Sequence, residues 1–290
     1  MDSWRKRSPQ VIQIRPDGHL SSELCDGLSE VPTDYAISDD EVHVWLARIG
    51  LPRSRISVLT DILSADERRK SERFHFQADR ERHVIGRALA RMTIGRLLDR
   101  SPESLGFCYN DFGKPHLSCD MNERGLQFNV SHSGDVVLVA LTANRLIGVD
   151  VERVRSDLNI DAIAKRFFSL REQTHLAALP AGLRYDAFFR CWSQKEAFIK
   201  ARGEGLSLPL DSFDMSLLPT ERPALVETRP DPAEASRWVI ECLDVGPSHK
   251  AALAVEGAGW RLETMQWCTE LSMHGPCGAK FTERDRRRSE

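Results

Sequence analysis

The 290-residue chain reads as an α+β protein made of two similar α+β halves. Three observations predict this. Strand-like alternation and helix-like 3.6-residue spacing fill the chain between about residues 39 and 270. Their order is strand, helices, strands, and then the same again. The change from one round to the next falls between Thr142 and Ile147, which divides the chain into an N-terminal half, 39–145, and a C-terminal half, 146–270. No repeat of the residues themselves is visible, so the likeness is one of plan alone.

Residues 1–38 are polar and weakly patterned, which predicts a weakly ordered lead-in. EVHVWLA (41–47) alternates as a strand does. In LSADERRKSERF, Ser64 followed by Glu67 forms a capping-box signal for a helix start. Val84, Ile85, Ala88, Leu89, Met92 and Leu97 share one helical face and predict an amphipathic helix over 80–99. NDFGKP is a turn by composition. QFNVSH, VVLVALT and LIGVDVE follow as strands. NIDAIAKRFFS and YDAFFRCWSQKEAFIKARG are helices, the second stopped by Gly203. From Phe213 to Trp267 come short strand-like runs, among them RWVIECL, KAALAVE and WRLETMQW. The tail, 271–290, with Gly, Pro and RDRRR, is predicted to be disordered.

Composition narrows the function. The chain is 41% hydrophobic and 29% charged, with a net charge of −3, which suits a soluble globular protein and argues against general nucleic-acid binding. No apolar stretch is long enough to cross a bilayer. MDSWRKRSPQ is basic, but no apolar segment follows it, so no signal peptide is predicted. The seven cysteines are scattered and lack a C-x-x-C pair. That predicts reduced thiols in a cytoplasmic protein.

Four stretches could carry chemistry. In IGVDVERVR, Asp150 and Glu152 end an apolar strand and point the same way. Two adjacent carboxylates repel unless a cation lies between them, and Mg²⁺ accepts such hard oxygen ligands. A solvated strand end paired with Arg153 and Arg155 is the alternative. In WSQKEAFIK, Glu196 and Lys200 share a helix face, as a surface ion pair would. They would equally add a third acid and a lysine to a Mg²⁺–phosphate site. Trp192 and Ile199 are expected to pack inward. In FNVSHSG, Ser131 and His132 could meet phosphate oxygens, serve as nucleophile and base, or be structural. In FGKP, Lys114 could meet a phosphate or be a solvated turn lysine. Residues 53–100 carry twelve Lys and Arg against seven Asp and Glu, so part of an anion pocket could lie there.

Taken together and in order, FGKP, FNVSHSG, IGVDVE, RFFSLRE and WSQKEAFIKARGEGLSLPLDSF resemble the Sfp-type 4′-phosphopantetheinyl transferases. The resemblance runs from about Glu41 to about Trp267. It implies the 4′-phosphopantetheinyl transferase fold, two similar α+β halves with the active site between them. It also implies Mg²⁺-dependent transfer of the phosphopantetheine arm of coenzyme A to a serine of an acyl or peptidyl carrier protein, releasing adenosine 3′,5′-bisphosphate.

Carried over by position, Asp150, Glu152 and Glu196 are the expected metal ligands. Glu196 is also the candidate base, and Lys200 a phosphate contact. Ser131, His132 and Lys114 are expected coenzyme A contacts, with Lys70 near the adenosine end and Arg82 a further candidate. Glu67 departs from the pattern, because some relatives carry a lysine there that binds the 3′-phosphate. Phe112 and 167–174 are candidates for touching the carrier. The duplicated plan implies a monomer with a complete site, with no nucleic-acid or membrane partner. Two rival readings stay open: a non-catalytic coenzyme A-binding or carrier-docking protein, and a Mg²⁺-dependent phosphohydrolase. The sequence does not say which pathway, fatty-acid, polyketide or nonribosomal-peptide, supplies the carrier.

Overall fold

A computed structural model describes residues 31–267, except Thr33 and Pro219. Most of the expected lead-in and all of the expected disordered tail lie outside the described residues. Within them, the end of the lead-in departs from expectation. Val31 and Ile37 are buried in the core, and the Tyr35 hydroxyl is hydrogen-bonded to His43 and Trp45.

The N-terminal half opens with β1 (Glu41–Arg48), α1 (Arg53–Asp61), α2 (Ala65–Glu72) and the 22-residue α3 (Gln77–Leu98). A small hairpin of β2 (Phe107–Tyr109) and β3 (Pro115–Leu117) precedes β4 (Leu126–Ser133) and β5 (Val136–Ala143). The C-terminal half starts at β6 (Ile147–Arg153). It continues through α4 (Ile160–Phe167), α5 (Leu170–Ala178) and the 22-residue α6 (Ala181–Arg202). Then come β7 (Phe213–Met215), β8 (Leu225–Thr228), β9 (Trp238–Leu243), β10 (His249–Glu256) and β11 (Arg261–Gln266).

Each half lays one long helix on one sheet. α3 covers β4 and β5, and α6 covers β6 and β10. Both helices approach closely through a glycine. On α3 it is Gly86, where a Cβ would lie 2.9 Å from a Val130 methyl. In the other half the glycine is on the strand instead, at Gly148 of β6. The inner faces of the two sheets meet in an apolar cluster that includes Val44, Leu138, Val149 and Leu253. The layers therefore run helix, sheet, sheet, helix. β5 is buried along its whole length, which fits its run VVLVALTA, apolar except for Thr142, whose hydroxyl donates to the Glu41 carbonyl.

One strand breaks the division into halves. WRLETMQW forms β11, which leaves the C-terminal half and pairs in parallel with β1, giving the order β11-β1-β5-β4. The N-terminal sheet is thus completed by the last described strand. Two helices also escape the sequence reading. α1 has no side-chain cap, and α5 carries its own capping box, Ser169 with Glu172, directly after RFF. Among the described residues no helix is long and apolar enough to cross a membrane.

Glu67 shows what a departure from a family pattern can do structurally. Its capping box with Ser64 forms as the sequence predicts. Its carboxylate, 2% exposed, also receives Arg87 Nε and Arg91 Nε at 2.7 Å each. Burial alone would push this carboxyl up, but Arg87 and Arg91 hold it below its ordinary range. Glu67→Ala should therefore destabilise the protein by roughly 3–5 kcal/mol in denaturant melts, since it strands a buried arginine charge. A loss below about 1 kcal/mol would contradict this account of the network.

Candidate active site

The strand β6 and the helix α6 build the site, and Gly148 sets their distance. A Cβ on Gly148 would stand 2.1 Å from the Ala197 carbonyl oxygen and 2.3 Å from the Ala201 nitrogen. Only hydrogen fits there, so α6 lies directly on the strand face that carries Asp150 and Glu152. A cleft of about 310 Å³ opens beside this contact. It is lined by Ser131, His132, Asp150, Glu152, Trp192, Glu196 and Lys200, together with Val130 and Val151.

On α6 the lining residues are spaced by four: Trp192, Glu196 and Lys200. Ile199 is buried as expected. Trp192 is not confined to the core. It stacks on Phe188 and Phe168, with centroids 6.0 and 6.4 Å away, yet also lines the cleft. Lys200 Nζ lies 2.5 Å from Asp150 Oδ1 and 3.1 Å from Ser131 Oγ. Ser131 Oγ in turn donates to Asp150 Oδ1 at 3.0 Å. The other carboxylate oxygen, Asp150 Oδ2, is buried and has no hydrogen-bond partner.

The electrostatics are those of crowded acids. Burial, and then the neighbouring Asp150 charge, raise the Glu152 carboxyl to about 7, against the weaker pull of the Ser133 hydrogen bond and the Lys200 charge. The same two causes raise Glu196. For Lys200 burial pulls downward, but Asp150, Glu196 and Glu152 together lift it above its ordinary value. Such a site gains from an added cation.

The folded carboxyl of Glu152 titrates near 7, against 4.5 for a free glutamate. Its folding penalty therefore begins above the lower value and is complete above the upper one. In metal-free protein Glu152→Gln should raise stability by roughly 1–3 kcal/mol at pH 8 and little at pH 4.5. An equal gain at both pH values would contradict the assigned crowding.

The sequence candidates separate here. Asp150, Glu152, Glu196, Lys200, Ser131 and His132 come together in the cleft. Ser131 and His132 face apart along β4, Ser131 buried and His132 exposed. Lys114 does not line this cleft. Its ammonium donates to the Ile147 and Ala201 carbonyls at 3.0 and 2.8 Å, and it borders a second cavity with Asn110, Arg202 and Gly203. Burial lowers it to about 8. Here it ties the hairpin turn to the end of α6. Lys70 stands exposed on α2, away from the cleft lining. Arg82 donates to the Gly134 carbonyl and pairs with Asp79, bracing the β4–β5 turn rather than lining the cleft. Sequence reasoning passed over Trp192 as a cleft residue, and also Ser133, whose hydroxyl reaches Glu152 at 3.1 Å. The available signal for Ser133 was its two-residue step from Ser131 on the same strand.

Among the described residues no three His, Cys, Asp or Glu side chains stand gathered as a ready metal cage. The donor set still fits a hard divalent cation. Asp150, Glu152 and Glu196 offer oxygen ligands around one cleft, and Asp150 Oδ2 is left without a partner.

Residues 146–255 match the family model of the 4′-phosphopantetheinyl transferase superfamily. Residues 52–144 match that of the 4′-phosphopantetheinyl transferase N-terminal family. The 4′-phosphopantetheinyl transferase HetI of Nostoc sp. is 37% identical over 230 residues, covering 79% of this chain and 94% of its own. The 4′-phosphopantetheinyl transferase Sfp of Bacillus subtilis is 35% identical over 191 residues, covering 66% and 81%. Among solved structures, the holo-[acyl-carrier-protein] synthase of Thermotoga maritima overlaps 40% of this chain and 64% of its own, with a TM-score of 0.31 and 22% identity. That overlap is too partial to add weight. The sequence relatives, matched over most of their length, show that the chain belongs to the 4′-phosphopantetheinyl transferases.

Proposed function

We propose that this transferase moves the 4′-phosphopantetheine arm of coenzyme A onto a serine hydroxyl of an acyl or peptidyl carrier domain, with Mg²⁺, releasing adenosine 3′,5′-bisphosphate. The observation that carries the proposal is the grouping of Asp150, Glu152 and Glu196 with Lys200 around one cleft between β6 and α6. Serine attack on the phosphorus next to the pantetheine forms an O–P bond. The bond to the bisphosphate breaks, and the hydroxyl proton needs an acceptor.

Glu196 suits that acceptor role, because burial and Asp150 raise its affinity for a proton. Lys200 stays charged and can leave Asp150 to meet a phosphate oxygen. Asp150, Glu152 and Glu196 would hold the Mg²⁺. When bound there, the ion offsets the negative charge of the diphosphate. Asp150 Oδ2, buried and unpaired, is the oxygen best suited to hold it. None of these side chains is needed as a covalent nucleophile, so transfer is direct.

Both β6 and α6 come from one chain, so a monomer suffices. Cys108, Cys119, Cys191 and Cys242 are free, which suits a reducing cytoplasm. Mass spectrometry of apo carrier domains incubated with the protein, coenzyme A and Mg²⁺ tests the reading. A phosphopantetheine mass increment on a carrier supports transfer. Hydrolysed coenzyme A beside an unmodified carrier would point to a phosphohydrolase. Binding without either change would point to a docking protein.

A further inference from the structure

Where β4 meets β6, the halves are joined by side chains, in a pattern that repeats. β4 and β6 are both edge strands, each at the end of its own sheet. They come together without a backbone ladder. Instead, Asn129 Oδ1 accepts the Val149 N–H at 2.9 Å, Ser131 Oγ the Val151 N–H at 3.3 Å, and Ser133 Oγ the Arg153 N–H at 3.0 Å. Every second residue of one strand thus serves every second residue of the other, at a constant offset of 20.

Both serines also bond onward. Ser131 Oγ reaches Asp150 Oδ1 at 3.0 Å, and Ser133 Oγ reaches Glu152 Oε2 at 3.1 Å. A hydroxyl has one proton, and here a lone pair already accepts a backbone N–H, so the proton goes to the carboxylate. Each serine therefore couples an amide of β6 to the carboxylate one residue earlier. At the first position of the series the preceding residue is Gly148, which offers no carboxylate. There Asn129 accepts the amide, and it is buried at 5% exposure.

We propose that Ser133 is a positioning residue for Glu152, and that Asn129 fixes β6 in the register this requires. The proposal rests on the reading of Glu152 as part of the transfer site. Ser133 touches no reacting atom; it acts by holding one oxygen of Glu152 against the strand, so that the other faces the cleft. Register matters because a one-residue slip would turn Asp150 and Glu152 away from α6.

The test uses the full chain with Ser133→Ala, Ser133→Thr and Asn129→Ala, an apo carrier, coenzyme A and Mg²⁺. Ser133→Ala should lower kcat about tenfold or more while KM for coenzyme A stays within about twofold. Ser133→Thr, which keeps the hydroxyl, should recover most of the rate. Asn129→Ala should behave as Ser133→Ala does and should speed hydrogen exchange at the Val149 amide. Wild-type kcat in Ser133→Ala, or a loss that threonine does not recover, would overturn the proposal. If the wild-type chain modifies no carrier, it is the transferase reading that fails. The positioning claim is then read from Mn²⁺ titration of the protein alone. At least about fivefold weaker binding in Ser133→Ala than in wild type and Ser133→Thr supports it, and equal affinities overturn it.

Discussion

Asp150→Ala should leave the protein folded and abolish phosphopantetheine transfer, lowering kcat/KM by roughly a thousandfold or more. Asp150 lies at the centre of the charge balance in the cleft. Its Oδ1 holds Lys200 and receives Ser131, and its Oδ2 is buried and unpaired. Removing it should not cost stability in proportion. Lys200 loses its partner but keeps access to water, with its side chain 29% exposed. Glu152 and Glu196 lose a neighbour that raises both of them. Both carboxyls should therefore titrate lower in the variant, which NMR of labelled glutamate side chains can read. Near-wild-type activity in saturating Mg²⁺ would rule out a ligand role for Asp150.

Gly148→Ala should damage stability and activity together. The added methyl would meet the Ala197 carbonyl and the Ala201 nitrogen at 2.1 and 2.3 Å, and backbone cannot swing aside as a side chain can. Helix α6 must then retreat by about 1 Å or more. Overpacking of this kind costs roughly 3 kcal/mol. A shift of that size between Glu196 and Lys200 on one side and Asp150 and Glu152 on the other should cost roughly a hundredfold in kcat. The comparison with Gly86→Ala is informative. There the obstacle is the Val130 side chain at 2.9 Å, in the other half of the protein. Thermal melts should show a smaller loss for Gly86→Ala. Equal losses in the two variants would mean that the α6 contact is not the special one.

Much of this site is legible in the sequence, because its parts obey short-range rules. The period of two puts Asp150 and Glu152 on one strand face, and the spacing of four puts Glu196 and Lys200 on one helix face. What the sequence withholds is the partner across the gap. Lys114 has no local partner in the sequence; the carbonyls its ammonium meets belong to residues 147 and 201. Glu67 looks like a lost cation site, whereas it pairs with both Arg87 and Arg91, 20 and 24 residues further on. The strand β11 was readable as a strand, but its pairing with β1 joins chain segments that no periodicity connects. Trp192 reads as inward-facing because it shares a helix face with Ile199; its ring does stack on Phe188 and Phe168, and it also lines the cleft.

The decisive observation is a crystal structure of the protein with coenzyme A and Mn²⁺ in place of Mg²⁺, using anomalous scattering to locate the metal. We expect a single Mn²⁺ in contact with the carboxylates of Asp150, Glu152 and Glu196 and with the diphosphate, with Lys200 moved from Asp150 to a phosphate oxygen. A diphosphate bound elsewhere, or a metal that leaves Lys200 on Asp150 and the two glutamates apart, would contradict the assignment of these acids as one metal site.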